Sequence, residues 1–310
     1  MVNVAVAGGT GSVGRTLVEA LQAHPKHNAI VLTRKDPGKD IGAPVVEVNY
    51  NDVESLKDIL EKHNIDTVIS TISILGEREG NGQINLIKAA AKSSVTKRFA
   101  PSEWGIPYPE EDGKNMPLVK YKLLAADELR KTDLKWTKFS NGFFLDYFGM
   151  PHVKSYLMRQ TFSIDIENKA AAIPGTGNEK VDFTYTFDVA KFVVASLDLP
   201  EWPEDSLIIG DKKTFNEVLK IAEEARGSKF TVAYDPLEKL ERFEITELPA
   251  HHAAYQFVPK EVLQPMTATF GQWTAKSLFD MPYEKSLNIR LPDIKTVSVK
   301  ELIGQAWGGK

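Results

Sequence analysis

The sequence predicts an α/β protein built on a doubly wound, mostly parallel sheet, and three observations carry that prediction. Short runs rich in Val and Ile alternate with longer stretches of helical spacing through the first half of the chain. A glycine-rich turn, Gly8-Gly9-Thr10-Gly11-Ser12-Val13-Gly14, stands between the first such run and the first helical stretch. Past Asn141 the alternation stops, and aromatic residues and prolines take over. Alternation of this kind marks parallel strands joined by right-handed helical crossovers.

The elements follow in order. Strands are expected over 2–7, 29–33, 45–48, 67–72, 97–100 and 136–139. After the first, Val13, Leu17, Ala20 and Leu21 share one helical face; after the third, Asp52 is placed to cap a helix burying Leu56, Ile59 and Leu60. Ile84, Leu86, Ile87 and Ala89-Ala90-Ala91 make a nearly apolar helix, which must be well covered. Six strands in about 140 residues suit an open sheet better than an eight-stranded barrel of about 250. Farther on, 188–197 reads as an amphipathic helix, 206–209 as a strand and 215–225 as a helix. The expected organisation is a dinucleotide-binding (Rossmann) domain over 1–142, with 183–226 returning to its sheet. Residues 143–182 and 227–310 then form a smaller substrate-binding cap that shares a cleft with it.

Composition removes several function classes. The 310 residues carry 38 basic and 42 acidic side chains, net −4, without the basic surplus of a phosphate-backbone binder, so no nucleic-acid partner is expected. There is no cysteine, hence no disulfide, thiol nucleophile or cysteine-ligated metal. The strand-like start leaves no room for a signal peptide and no apolar run reaches membrane-spanning length, so a cytoplasmic protein, free of membrane, is expected. The six histidines include no H-E-x-x-H and no acid at metal spacing, so no metal is expected.

The glycine turn identifies the cofactor class. It satisfies G-x-G-x-x-G from Gly9 and G-x-x-G-x-x-G from Gly8, after a strand and opening a helix, as a pyrophosphate cradle requires. Backbone N–H groups at the start of that helix point toward an anion, the helix dipole adds favourable potential, and Gly8, Thr10, Gly11, Ser12, Val13 and Gly14 are the expected cofactor-binding residues there. An acid about 20 residues on would bind the ribose hydroxyl of NAD. Here the second strand ends Thr33-Arg34-Lys35, and cations at that corner favour the 2′-phosphate of NADP(H). A solvated basic loop is the plainer reading.

At these positions the chain resembles the isoflavone reductase-like and NmrA-like branch of the atypical short-chain dehydrogenases. The resemblance rests on the Gly8 to Gly14 turn, Thr33-Arg34, Lys97-Arg98-Phe99-Ala100-Pro101-Ser102-Glu103-Trp104-Gly105 and the stretch 122–148, and it spans most of the chain. The family usually carries Phe where this chain has Trp104, a change at the pocket wall. It implies that Lys122, counted back from Trp136-Thr137, is the catalytic lysine, whose ammonium can donate to a substrate oxygen or, as a cofactor-binding residue, hold the nicotinamide ribose. The ordinary Tyr-x-x-x-Lys pair is missing: Leu118 stands four residues before Lys122, and Met116 four before Lys120. For Lys122 to act as a base, its pKa near 10.4 must fall, which burial beside the cofactor would accomplish. The plain alternative is a surface lysine like Lys114, Lys120 or Lys131.

Other candidates lie at strand ends. Ser73 and Ser102 are placed to line the cofactor, and Asn141 faces the nicotinamide side or makes a simple turn with Gly142. Glu103 either caps a turn or, with Trp104, borders the substrate. Phe143, Phe144 and Tyr147 line a pocket for a flat substrate or belong to the core, and His152 offers a titratable contact. The expected activity is NADPH-dependent reduction of a small aromatic or conjugated compound of secondary metabolism, by a monomer or homodimer, with Lys122 handling the proton. The alternatives are an NmrA-like redox sensor that binds NADP without turnover, and a redox-neutral isomerase or cyclase.

Overall fold

The computed structural model of the chain describes residues 1–111 and 117–310; Lys114 and Met116 lie outside the described residues. Two compact units emerge. Met1–Ser140, Val189–Ile208 and Lys285–Ile294 make the first, and Asn141–Asp188, Ile209–Glu284 and Lys295–Lys310 the second.

In the first unit the expected alternation is present: β1 (Val2–Ala7), α1 (Ser12–Ala23), β2 (His27–Thr33), β3 (Val45–Glu47), α2 (Val53–Lys62), β4 (Thr67–Ser70), α3 (Glu77–Lys92), β5 (Arg98–Ala100), α4 (Pro117–Leu129), β6 (Lys135–Trp136) and β7 (Lys138–Ser140). The first six strands form one parallel sheet in the order β3-β2-β1-β4-β5-β6, so the winding reverses between β1 and β4. In such sheets ligands bind beyond the carboxyl ends of the strands at that reversal. Pleating sends Ala5, Ala7, Leu32, Val68 and Phe99 to a core with Leu56, Leu60, Leu86, Ile87, Ala125 and Leu129 of α2, α3 and α4. The α2 cap is as expected, with the Asp52 carboxylate accepting from the Ser55 amide at 3.0 Å.

The sixth strand is broken where one run over 136–139 was expected. Residues Lys135–Trp136 pair with β5, but Lys138–Ser140 pair with a later strand, β12 (Asp205–Leu207). Thr137 marks the break, its buried hydroxyl donating to that of Ser206 at 2.8 Å.

The second unit holds β8 (Phe143–Phe144), β9 (Ile164–Asp165), β10 (Ala170–Pro174), β11 (Lys180–Thr184), β13 (Asp211–Thr214) and β14 (Thr231–Asp235) in two three-stranded sheets. The boundary between units falls within α5 (Thr186–Ser196). α6 (Phe215–Arg226) belongs to the second unit, unlike the expected return of all of 183–226 to the first sheet: its partner α11 (Val299–Trp307) and the adjoining β13 are both there. Between them come α7 (Leu237–Leu240), α8 (Pro249–Ala254), α9 (Lys260–Ala275) and α10 (Leu287–Arg290), the last in the first unit rather than the expected cap. No described helix is long and apolar enough to cross a membrane.

Candidate functional site

The glycines of the turn after β1 and of the first turn of α1 do two different jobs. Three are fixed by the protein's own packing. A Cβ on Gly14 would stand 2.4 Å from the Thr71 hydroxyl and 2.5 Å from the Gly8 carbonyl oxygen; one on Gly9 would meet Val31 at 2.8 Å; and Gly8, at φ +79°, presses on the Thr71 carbonyl. Thr71 follows β4, so these contacts seat the turn on the winding reversal.

Gly11 is different. A Cβ there would meet nothing closer than the Gly8 oxygen at 3.5 Å, and its backbone is ordinary extended chain. No protein atom demands a glycine. It is the N-cap of α1, yet no side chain caps that helix and no acid lies in its first turn. Bare N–H groups with an open approach suit a bound diphosphate, so the residues present fit a dinucleotide. Thr10 beside it is exposed, Ser12 and Val13 half-buried.

At the end of β2, Thr33 is buried and its hydroxyl donates to the Lys35 carbonyl at 3.1 Å, which turns the chain and leaves Arg34 and Lys35 exposed. The Arg34 guanidinium lies 3.7 Å from the Glu79 carboxylate of α3. A surface pair of this length is worth little and is easily exchanged for a phosphate. Ser73 is exposed on the loop after β4.

An acid and a lysine meet with little exposure just past the end of β5. Lys122 of α4 is 12% exposed, and its Nζ donates to the Glu103 carbonyl at 2.5 Å and lies 3.6 Å from the Glu103 carboxylate, itself 5% exposed. The Tyr108 hydroxyl donates to that same carboxylate, and the ammonium sits 5.7 Å from the Tyr108 ring centre. Burial pushes the Lys122 amine below its ordinary value while Glu103 holds it up. Burial and the carboxylate together push the Tyr108 phenol well above its own. The half-buried lysine and phenol converge on one buried acid in a single network, the phenol by a hydrogen bond to its carboxylate and the ammonium by a hydrogen bond to its carbonyl and an ion pair with its carboxylate.

Two residues hold this network in place. Buried Gln83 of α3 accepts from the Ser102 amide at 2.8 Å, fixing the backbone just before Glu103. Trp104, at φ +47°, donates its indole N–H to the Ser70 carbonyl at 3.0 Å and stacks on Phe139 at 5.8 Å. Trp104 is thereby bound into the frame of the first unit rather than left as a bare pocket wall. Sequence reasoning missed Tyr108, Gln83 and Thr71. Tyr108 lies on an irregular loop with no period to expose it, whereas glycines crowded against Thr71 are a signal only once the turn is folded.

In the second unit Asn141 is fully buried; its amide donates to the Gly142 carbonyl at 3.2 Å, and its Oδ1 has no hydrogen-bond partner among the described residues. Phe143 is core, not pocket lining: it is 5% exposed and touches the rings of Phe148, Phe162, Phe183 and Phe279. Phe144 and Tyr147 are half-buried and packed edge to face. His152 is exposed and stands edge-on to Trp307 at 4.7 Å, a packing contact on the terminal helix α11.

Comparison with known proteins agrees with this geometry. Oxidoreductase BOA1 of Botryotinia fuckeliana is 40% identical over 95% of this chain and 96% of its own length. Phenylcoumaran benzylic ether reductase TP7 of Nicotiana tabacum is 29% identical over 76% of this chain and 79% of its own. The leucoanthocyanidin reductase of Vitis vinifera, solved as a binary complex with NADPH, superposes with a TM-score of 0.75 at 20% identity, covering 98% of each chain, and shares the fold. The NmrA-like family pattern matches residues 2–288. A sheet that reverses at the glycine turn and an unbroken match over nearly the whole sequence make the conclusion plain: the chain belongs to the NmrA-like family.

Proposed function

We propose that this protein is an NADPH-dependent reductase of a small aromatic or conjugated substrate, with Lys122 as its proton-handling residue. The observation that carries the reading is the burial of Lys122 against Glu103, because a desolvated amine held by an acid suits proton transfer, and the same ammonium can hold the nicotinamide ribose. The names of the relatives support the class: one is an oxidoreductase and another reduces a benzylic ether of phenylcoumarans. Bound at the turn, NADPH supplies the hydride.

The chain's own residues do the rest. The N–H groups opening α1 hold the diphosphate, with Gly11 leaving room for its approach, and Arg34 with Lys35 binds the 2′-phosphate. Ser73, Ser102 and Asn141 complete the proposed cofactor shell. Lys122 Nζ gives a proton to, or takes one from, the substrate oxygen. Glu103 is a positioning residue that fixes the amine through its carbonyl and sets its charge through its carboxylate. Phe144, Tyr147 and His152 remain the proposed substrate contacts; Phe143 supports them from the core.

Two titrations test the cofactor assignment. Wild-type protein is expected to bind NADPH far more tightly than NADH, and Arg34→Ala to weaken NADPH by about 10- to 100-fold, the worth of a charge-assisted contact, while leaving NADH nearly unchanged. Equal losses for both coenzymes would remove Arg34 from phosphate recognition. Steady NADPH consumption with a panel of aromatic ketones, enones and phenylpropanoid ethers is the expected activity; tight binding without turnover on any of them would favour a sensor.

A further inference from the structure

At the opposite end of the first unit's sheet, three side chains converge that the reductase chemistry does not use. His24 is the C-cap of α1, His27 opens β2 opposite Val2 of β1, and Asp198 sits in the turn after α5. The two imidazoles stack with centroids 4.5 Å apart and planes within 10°, and His27 Nε2 lies 3.7 Å from the Asp198 carboxylate. One donor atom from each residue falls within 4.8 Å of the other two.

His27 gives the cluster its meaning. It is 5% exposed, and neither ring nitrogen has a hydrogen-bond partner among the described residues. An imidazole always presents a donor or lone pair at each nitrogen, and a buried polar group left unmet is destabilising. A proton shared with Asp198 is one remedy, but the carboxylate stands 3.7 Å from His27 Nε2, beyond hydrogen-bond reach. Coordination meets the need without that proton.

We infer that His24, His27 and Asp198 form a structural site for a divalent transition metal of the zinc class. Two imidazole nitrogens and one carboxylate oxygen are a borderline donor set, and water would complete a tetrahedron. Ligand atoms around zinc stand about 3.3 Å apart, given bonds of about 2.0–2.1 Å. The half-exposed Asp198 and half-buried His24 must therefore close in by up to about 1.5 Å, and the His24 ring must turn out of its stack so that both imidazole lone pairs aim at the ion, while His27 stays fixed.

The carboxylate's backbone is already anchored for this. Arg98 of β5 donates to the carbonyls of Leu197 and Leu199 at 3.0 and 3.1 Å, on either side of Asp198, and its guanidinium lies over Trp202 at 5.3 Å. Lys26, 3.8 Å from the other Asp198 oxygen, is the competing charge, and at 67% exposure it is free to swing into solvent. His27 begins β2 whereas the glycine turn follows the end of β1, so the strand length separates the two sites by roughly 20 Å. A metal here ties the α1–β2 turn to the segment after α5 and takes no part in reduction.

The test is Zn²⁺ titration of the chelator-treated full chain by calorimetry at near-neutral pH, with melting temperature and NADPH affinity measured alongside. Wild type is expected to bind one Zn²⁺ saturably, with a raised melting temperature and unchanged NADPH affinity, and Co²⁺ to give the visible absorption of a tetrahedral site. His24→Ala and Asp198→Asn, both at partly exposed positions that do not threaten folding, are each expected to weaken Zn²⁺ by at least about tenfold. Absence of saturable Zn²⁺ binding, or binding that neither substitution alters, overturns the inference.

Discussion

Replacing Lys122 with Met is expected to lower turnover by about 10²- to 10⁴-fold, the range for loss of a positioned acid or base, while NADPH affinity stays within about twofold. Methionine keeps the volume of the stem and removes the amine, so the readout is chemistry rather than a cavity. The pH profile gives the sharper result. Burial holds the Lys122 ionisation below the ordinary lysine range and Glu103 holds it up against that. If the neutral amine is the working form, activity rises with pH through this depressed ionisation; if the ammonium donates, activity falls through it. Glu103→Gln keeps the backbone carbonyl and an acceptor for Tyr108 but deletes the charge. The ionisation is therefore expected to move further down in Glu103→Gln, and to vanish in Lys122→Met. A profile that ignores both substitutions would show that neither residue governs the proton.

The second large effect is expected at the glycine turn, where two substitutions separate packing from binding. Gly14→Ala puts a methyl group against the Thr71 hydroxyl, the Gly8 carbonyl and the Gly9 Cα, two of them backbone atoms that cannot turn aside. A destabilisation of about 3 kcal/mol, the upper end for overpacking, follows, with loss of NADPH binding as the turn is displaced. Gly11→Ala meets only an ordinary contact, so its melting temperature should match wild type to within about 0.5 kcal/mol of stability while NADPH affinity falls. Denaturant melts and cofactor titration of both variants check this. Undiminished NADPH affinity in Gly11→Ala would mean that the turn is merely a turn.

Much of the first unit was legible because its strands are buried on both faces and its helices repeat one apolar stripe, so periodicity and placement agree. The glycine turn was legible because its glycines stand within a few residues of one another in sequence, although Thr71 and Val31, which crowd them, are remote. The site around Lys122 was only half legible. Family resemblance pointed to the lysine, but its partners come from α3, the loop after β5 and an irregular segment carrying Tyr108, which no local pattern links. The aromatic run from Phe143 illustrates the opposite failure. Spacing cannot distinguish a ring that lines a cleft from one that fills a core, and Phe143 proves to be the centre of a ring cluster. The cluster of His24, His27 and Asp198 was hidden likewise, since Asp198 is remote in sequence from the two histidines.

The indole of Trp104 bears on how the proposed substrate would gain entry. With its ring nitrogen tied to the Ser70 carbonyl and its face laid on Phe139, the stretch from Ser102 to Gly105 is a fixed jamb rather than a door. Its amide protons should therefore exchange with deuterium slowly, at rates set by opening of the sheet itself. Whatever swings to admit a guest molecule must hang on another part of the frame.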